Sequence, residues 1–338
     1  MAADDLAETL ADFIARRSNA RDVRIDGLRR LTGGASRETW SLDAHVTHSD
    51  GNSETVPLIL QHDTRGGAKA VSRALEYRLL EAVYAEGVPA PEPVFFGDDS
   101  LSGEFFLVRR IEGETLPKRL LRDDIYTPAR AALPEQLAAA LARIHDVSLE
   151  KHGLTDLPAP PDGASPAAHE VERYEKIFRM IAPEPHPAFE LAFRWLQTHL
   201  PQDADPPRSL VHGDFRMGNV LFGPEGARAI LDWELAHVGD AMEDLGWLCV
   251  RSWRFGGDRP VGGIGDRAAF YAAYEAAGGA PVDPERVRFW EVFGNLRWGI
   301  ICLSQARTYL DGRSDSVELA SIGRRTAETE WELLSLVD

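Results

Sequence analysis

The sequence predicts an α+β chain of two lobes: a small N-terminal lobe on an antiparallel sheet (residues 1–112) and a large, mainly helical C-terminal lobe (residues 113–338). Three observations lead there. Strand and turn patterns crowd the stretch up to Ile111 around one clear helix. After Gly113 strand signals nearly vanish, and apolar residues recur at helical spacing. A strand-rich island, Leu210 to Trp233, interrupts those helices. At 338 residues the chain is long enough for two cores.

In order, Leu6, Leu10, Phe13 and Ile14 mark an amphipathic surface helix over Met1 to Arg17, with acidic residues where a secretory signal would be basic. Arg24 to Thr32 reads as a strand, Gly33-Gly34 as a turn, and Glu38 to Leu42 as the returning strand. A polar hairpin around Gly51-Asn52 leads into a third strand, Val56 to His62. Val71, Leu75, Leu79, Ala82 and Val83 share one face of a helix expected over Lys69 to Glu86, closed by Gly87 and the prolines that follow. Val94 to Gly97 and Glu104 to Ile111 form a further strand pair. Beyond the linker Glu112-Gly113, Leu137, Leu141 and Ile144 define a helix over Leu133 to Val147, with Pro134 in its first turn. Leu157 to Pro166 is a Pro- and Gly-containing loop. Helices then run to Leu200 and, after a two-stranded island and a Gly-rich loop (Gly256 to Gly265), to Leu336.

Composition narrows the function classes. Net charge is −17, so a phosphate backbone is repelled and nucleic acid is excluded as a partner. The acidity is read as a soluble surface rather than as a sign of a cationic substrate. No apolar run reaches the length of a membrane span. Two cysteines, Cys249 and Cys302, make neither a disulfide framework nor a metal site, and a reducing cytoplasm is the expected location.

The island carries the chemistry. It reads Leu210-Val211-His212-Gly213-Asp214, then Asn219, then Ile230-Leu231-Asp232-Trp233-Glu234. Phosphoryl transfer asks a protein chiefly to position an acceptor hydroxyl and to hold metal ions on the phosphates. A carboxylate at one strand end can orient and deprotonate the hydroxyl. An amide five residues later and a second carboxylate on the next hairpin strand complete a hard-oxygen Mg²⁺ site. A lone His-Gly-Asp is common in turns; the spacing of Asp214, Asn219 and Asp232 between apolar strands is what carries the reading. His212 is read as structural, and Asp240 and Asp244 as helix caps or loop supports.

These residues, with Gly239-Asp240 and Glu243-Asp244-Leu245, resemble the aminoglycoside phosphotransferase-like family, which shares the protein-kinase fold. The resemblance covers most of the chain. It implies Asp214 as catalytic base, Asn219 and Asp232 as metal ligands, ATP (or GTP) as donor, and a small-molecule hydroxyl as acceptor. His212, Glu234 and Asp244 are implied as supporting residues. Leu31-Thr32-Gly33-Gly34-Ala35-Ser36 is implied as a nucleotide flap, where glycines admit phosphates to backbone N–H groups. Adenine is implied to meet the backbone at Arg109 and Ile111, beside Ile59.

One departure stands out. The third strand should end on a cation that holds the α/β-phosphates and pairs with a helix glutamate. Here Leu58-Ile59-Leu60-Gln61-His62 puts Gln61 there, and alternation turns His62 to the other face. Glu76 is the partner glutamate. Arg37, Lys69 or Arg73 is available to compensate. Two readings follow: an active small-molecule kinase, or a nucleotide- or metabolite-binding pseudokinase disabled by Gln61. No P-loop, zinc-protease pair or nucleophile elbow is present, and the acceptor and oligomeric state are left open.

Overall fold

The computed structural model describes residues 3–31, 37–63, 71–97, 101, 103–182, 184–202 and 208–337. The expected flap residues Gly33, Gly34, Ala35 and Ser36 lie outside these, as does Lys69. The described chain divides into two units. The first contains residues 1–113, 149–156 and 228–234, and the second 114–148, 157–227 and 235–338.

The first unit opens with helix α1 (Ala3–Ser18), followed by β1 (Asp22–Leu31), β2 (Arg37–Thr47), β3 (Ser53–Asp63), α2 (Arg73–Ala85), β4 (Pro93–Gly97) and β5 (Phe105–Arg109). The five strands form one sheet in the order β1-β2-β3-β5-β4, and every neighbouring pair is antiparallel. Side chains alternate across such a sheet, so adjacent residues serve opposite faces. On one face, Leu6, Leu10, Phe13 and Ile14 of α1 pack with Leu42, Leu58, Leu60 and Phe105 in a single buried cluster. The Phe13 and Phe105 rings meet edge to face at 4.9 Å. On the other face Phe106 meets Tyr77 of α2 at 6.0 Å. Cross-strand partners share a face, and the register pairs Gln61 with Phe106 and His62 with Phe105. Gln61 therefore lies on the α2 face and His62 on the α1 face.

Helix α2 starts at Arg73 rather than Lys69. Ser72 is its N-cap and accepts from the Leu75 N–H at 3.2 Å, which fixes the helix start as a short hydroxyl does. Arg73 thus becomes the first helical residue.

In the second unit come α3 (Pro117–Arg122), α4 (Thr127–His145), α5 (Pro166–Ile181), α6 (Pro187–Thr198) and β6 (Ser209–Val211). Then follow β7 (Val220–Gly223) and β8 (Gly226–Ile230), a hairpin through which the chain passes from the second unit into the first. The second unit closes with β9 (His237–Gly239), α7 (Met242–Cys249), α8 (Arg267–Ala276), α9 (Pro284–Leu310), α10 (Val317–Gly323) and α11 (Thr326–Leu336). Two details depart from expectation. Helix α4 begins before Leu133: Pro128 fills the first turn, where its missing N–H costs nothing, and Pro134 lies inside the helix. Strand β6 of the island also pairs beyond it, because β9 returns antiparallel onto β6. At three residues β9 is too short to leave an alternation signal.

Helix α9 is the axis of this unit. Asp283 caps it and Pro284 enters its first turn. Gly246 of α7 lets the two helices approach closely: a Cβ there would stand 2.6 Å from the Trp290 Cβ. Cys249 and Cys302 are buried free thiols, pushed up to about 12 by burial and so unreactive at neutral pH.

Candidate active site

Strand β6 delivers the chain into a tight turn, His212-Gly213-Asp214. Gly213 has φ +78°, and a Cβ on it would stand 2.3 Å from the Leu235 carbonyl oxygen. Both facts demand glycine. The turn is anchored from behind. The His212 and Gly213 N–H groups donate to the Asp244 carboxylate at 2.8 and 3.0 Å, and His145 lies 3.2 Å from its Oδ2. Burial pushes the Asp244 carboxyl up, but the His145 and backbone bonds outweigh it and leave the group below its ordinary value. His212 Nδ1 accepts from the Asp214 N–H at 3.2 Å, so its ring ties the loop. Buried Arg297 spans the turn and α7, donating to the Gly213 carbonyl at 2.8 Å and the Glu243 carboxylate at 2.9 Å.

Asp214 is held by three side chains. Asn219 Nδ2 donates to its Oδ2 at 2.7 Å and to its backbone carbonyl at 2.9 Å. Trp247 Nε1 donates to Oδ1 at 2.9 Å. Arg216 Nε lies 3.1 Å from both oxygens. Because the Asn219 NH₂ is given to Asp214, its Oδ1 is turned away as an acceptor. A hard oxygen on that side suits Mg²⁺, and the carboxylate of Asp232 is of the same chemistry. Arg216 was not singled out from sequence, although it stands two residues after Asp214. Trp247 and Arg297 reach the loop from 33 and 84 residues away.

In the first unit, Asp232 is one of only three non-glycine residues with positive φ (+67°) among those described. Such a conformation costs on the order of 1–3 kcal/mol and persists where the surroundings impose it. The next residue, Trp233, is buried and donates Nε1–H to the Ile230 carbonyl at 3.2 Å. Anchoring that indole fixes the backbone on which Asp232 and the half-buried Glu234 stand.

The departure at Gln61 has a counterpart in the same unit. Arg73 Nη1 donates to Gln61 Oε1 at 3.1 Å and to Glu76 Oε2 at 2.8 Å. Arg73 and Glu76 are each 2% exposed, and the Arg73 guanidinium lies over the Phe106 ring at 5.3 Å. A buried cation therefore occupies the gap between the strand position and the helix carboxylate, supplied by the helix. Among the described side chains, Arg73 is the candidate cation placed here. Elsewhere on the sheet, Ile59 pairs with Val108. Arg109 gives its backbone N–H to the Glu92 carbonyl at 2.9 Å and its Nε–H to the Glu92 carboxylate at 2.6 Å. Ile111 follows at the strand exit, half-buried.

Two outcomes follow for the turn. Gly213→Ala is expected to lower Tm markedly, with about 1–3 kcal/mol from backbone strain and more from the clash with Leu235; a melt within 2 °C of wild type, an order-of-magnitude margin for small shifts, would overturn the argument. His237, whose ring packs beneath Gly213, lies 3.2 Å from Glu243 Oε2. Burial opposes its protonation, but Glu243 and Glu170 outweigh burial and raise the imidazole to about 9. A folded value above the unfolded 6.5 means that this stabilisation is complete below pH 6.5 and is lost as pH rises through about 9. A Tm series is expected to slope down over that window, and His237→Gln to flatten the slope.

Known proteins with related sequences and folds bear on this geometry. Acyl-CoA dehydrogenase family member 11 of Homo sapiens is 29% identical over 178 residues, which cover 50% of this chain and 22% of that protein. The chain thus spans less than a quarter of that relative's length. A homoserine kinase of Methylocella silvestris is 26% identical over 208 residues, covering 58% of this chain and 57% of its own. Among solved structures, a protein of Ralstonia eutropha described as an aminoglycoside phosphotransferase superposes with a TM-score of 0.74 at 24% identity, covering 96% of this chain and 97% of that one. The aminoglycoside phosphotransferase APH(4)-Ia, in a ternary complex with AMP-PNP and hygromycin B, gives 0.58 at 16% identity over 98% of both chains. The fold is therefore the bilobal, protein-kinase-like α+β fold. The sequence profile of the phosphotransferase enzyme family matches residues 27–290, a span that contains Gln61, Arg73, Asp214, Asn219 and Asp232, and the chain belongs to that family.

Proposed function

We propose that the chain is an ATP- and Mg²⁺-dependent phosphotransferase acting on a hydroxyl of a small molecule, with Asp214 as catalytic base. The observation that carries the reading is the Asn219 bond to Asp214, which locks a carboxylate and a hard-oxygen donor side by side on one loop. Asp214 orients the acceptor hydroxyl and takes its proton as the acceptor oxygen bonds to the γ-phosphorus; the bond to the β-bridging oxygen breaks and ADP leaves. The Arg216 Nε–H is shared between the two Asp214 oxygens at 3.1 Å, longer than the Asn219 and Trp247 bonds, and is the contact that yields to the hydroxyl. Asn219 and Asp232 would hold Mg²⁺, which supplies neutralisation of phosphate charge when bound.

The nucleotide falls to the N-terminal lobe and the acceptor to the helical lobe. The Arg109 N–H is given to Glu92, so the backbone groups for an adenine are the Arg109 carbonyl and Ile111. Arg73 stands behind Gln61 as the charge that the strand lacks. AMP-PNP in the APH(4)-Ia complex supports an adenine nucleotide as donor; GTP is the second donor to assay. With buried, inert thiols and no described helix long and apolar enough to cross a membrane, we place the chain in the cytoplasm.

The second reading, a nucleotide- or metabolite-binding pseudokinase, rests on Gln61; Arg73 is the argument against it. Thermal shift with ATP, GTP and Mg²⁺ on wild type and Asp232→Ala tests the binding step. ATP with Mg²⁺ at 100 times Kd is expected to add about 2.7 kcal/mol of stability to wild type and little to the variant. Binding without ADP release from any acceptor would favour the pseudokinase, and absence of nucleotide binding would remove the transferase reading and leave only a metabolite-binding pseudokinase.

A further inference from the structure

Two cavities of the second unit share a wall, Phe255 and Gly256. One has a volume of about 720 Å³ and is lined by Lys118, Arg251 and Arg325 among others. The other, of about 840 Å³, is lined by Arg122, Arg130 and Arg259 among others. Together their described linings hold six Lys or Arg and three Asp or Glu. The chain as a whole has 37 basic against 54 acidic residues. Charge is thus reversed locally, and a concave site of one sign draws ligands of the other. Three of these cations have carboxylate partners: Arg325–Glu328 at 3.2 Å and Arg259–Asp266 at 2.9 Å are solvent-exposed pairs, whose coupling is weak in water and open to competition from a ligand, and the exposed Arg251 reaches the buried Glu332 at 3.4 Å.

The wall joins this basic space to the catalytic loop. Phe255 has φ +50°, a left-handed conformation that a bulky side chain rarely adopts. Its ring tip lies 3.9 Å from where a Cβ on Gly218 would stand, within the loop from Asp214 to Asn219. Arg216, bonded to Asp214, stacks over Trp253 at 5.0 Å, and Arg325 stacks over Trp298 at 5.5 Å. The Trp253 and Trp298 rings are 4.7 Å apart and form a packed layer between the two guanidinium groups.

We propose that these joined cavities are the acceptor pocket and that the acceptor is an anion: a small hydroxylated carboxylate or phosphate monoester, not a polyamine sugar. The proposal rests on the phosphotransferase reading and adds the sign of the substrate to it. Arg251 and Lys118 meet the anionic group at the rim, and the exposed Trp331 covers its carbon skeleton.

The test uses the full chain with ATP and Mg²⁺ and a series matched in skeleton but not in charge: glycerate, glycerol 3-phosphate, glycerol, ethanolamine and kanamycin, with ADP release as readout. Turnover is expected with the anions, and the better of glycerate and glycerol 3-phosphate distinguishes carboxylate from phosphate. Arg251→Glu and Lys118→Glu are each expected to raise the anion KM at least about tenfold, the weight of a single charge-assisted hydrogen bond, while the KM for ATP stays constant. Preference for ethanolamine or kanamycin, or charge reversals without effect on KM, would overturn the pocket but leave the transferase reading standing. If no acceptor is turned over, calorimetry with glycerate and glycerol 3-phosphate on wild type and Arg251→Glu decides: Arg251-dependent binding upholds the pocket while the transferase reading falls, and absence of binding sinks the pocket.

Discussion

Asp214→Asn is expected to lower kcat by about 10²–10⁴-fold, the usual contribution of a positioned general base, with KM for ATP unchanged. The substitution keeps shape but not chemistry. An amide has one acceptor oxygen where the carboxylate has two, and here both are used: Oδ1 by Trp247 and Oδ2 by Asn219. One of those donors must then face an NH₂ group, and Arg216 loses its counter-charge. The fold should survive, because the turn is held through Gly213 and Asp244 rather than through the Asp214 carboxylate. Tm is therefore expected to move by only a few degrees, on the order of 1 kcal/mol for one altered hydrogen bond. A kcat within tenfold of wild type would remove Asp214 from the chemistry.

The loop that carries Asp214 and Asn219 was legible because its logic is local: the two stand five residues apart between short strands and here close to hydrogen-bond distance. The sheet was legible for the same reason: alternation in β3 and β5 assigns faces, and the register then pairs Gln61 with Phe106. What was not legible depends on approach between distant segments. Trp247 and Arg297 are unremarkable helix residues until α7 and α9 close on the turn that carries Asp214. The basic double cavity is hidden in composition, because its six cations are scattered from Lys118 to Arg325 in a chain whose total charge has the opposite sign. Arg73 was one of three candidate cations; Ser72 as the cap, and hence Arg73 at the first helical position, is what places its side chain between strand and carboxylate.

Arg73→Met is expected to cost both stability and nucleotide affinity, and the two losses can be separated. Stability falls because Glu76, 2% exposed, is left buried without the guanidinium at 2.8 Å; breaking such a pair costs about 3–5 kcal/mol. Affinity falls for a different reason. Arginine only donates, so the Gln61 atom facing it is the oxygen, and the Gln61 NH₂ is turned the other way as a donor. Arg73 thereby orients a neutral side chain into the role of a cation and places positive charge behind it. Loss of one such charge-supported contact is worth about 1.5–3 kcal/mol, roughly tenfold to a hundredfold in Kd for ATP. Arg73→Met with Glu76→Leu removes the buried carboxylate together with its cation, so Tm should return while affinity stays low. Arg73→Met with Gln61→Lys puts the cation back on the strand beside Glu76, so both should recover. A double variant with Gln61→Lys that melts and binds no better than Arg73→Met alone would show that Arg73 is a packing residue and that the strand position has no part in holding phosphates.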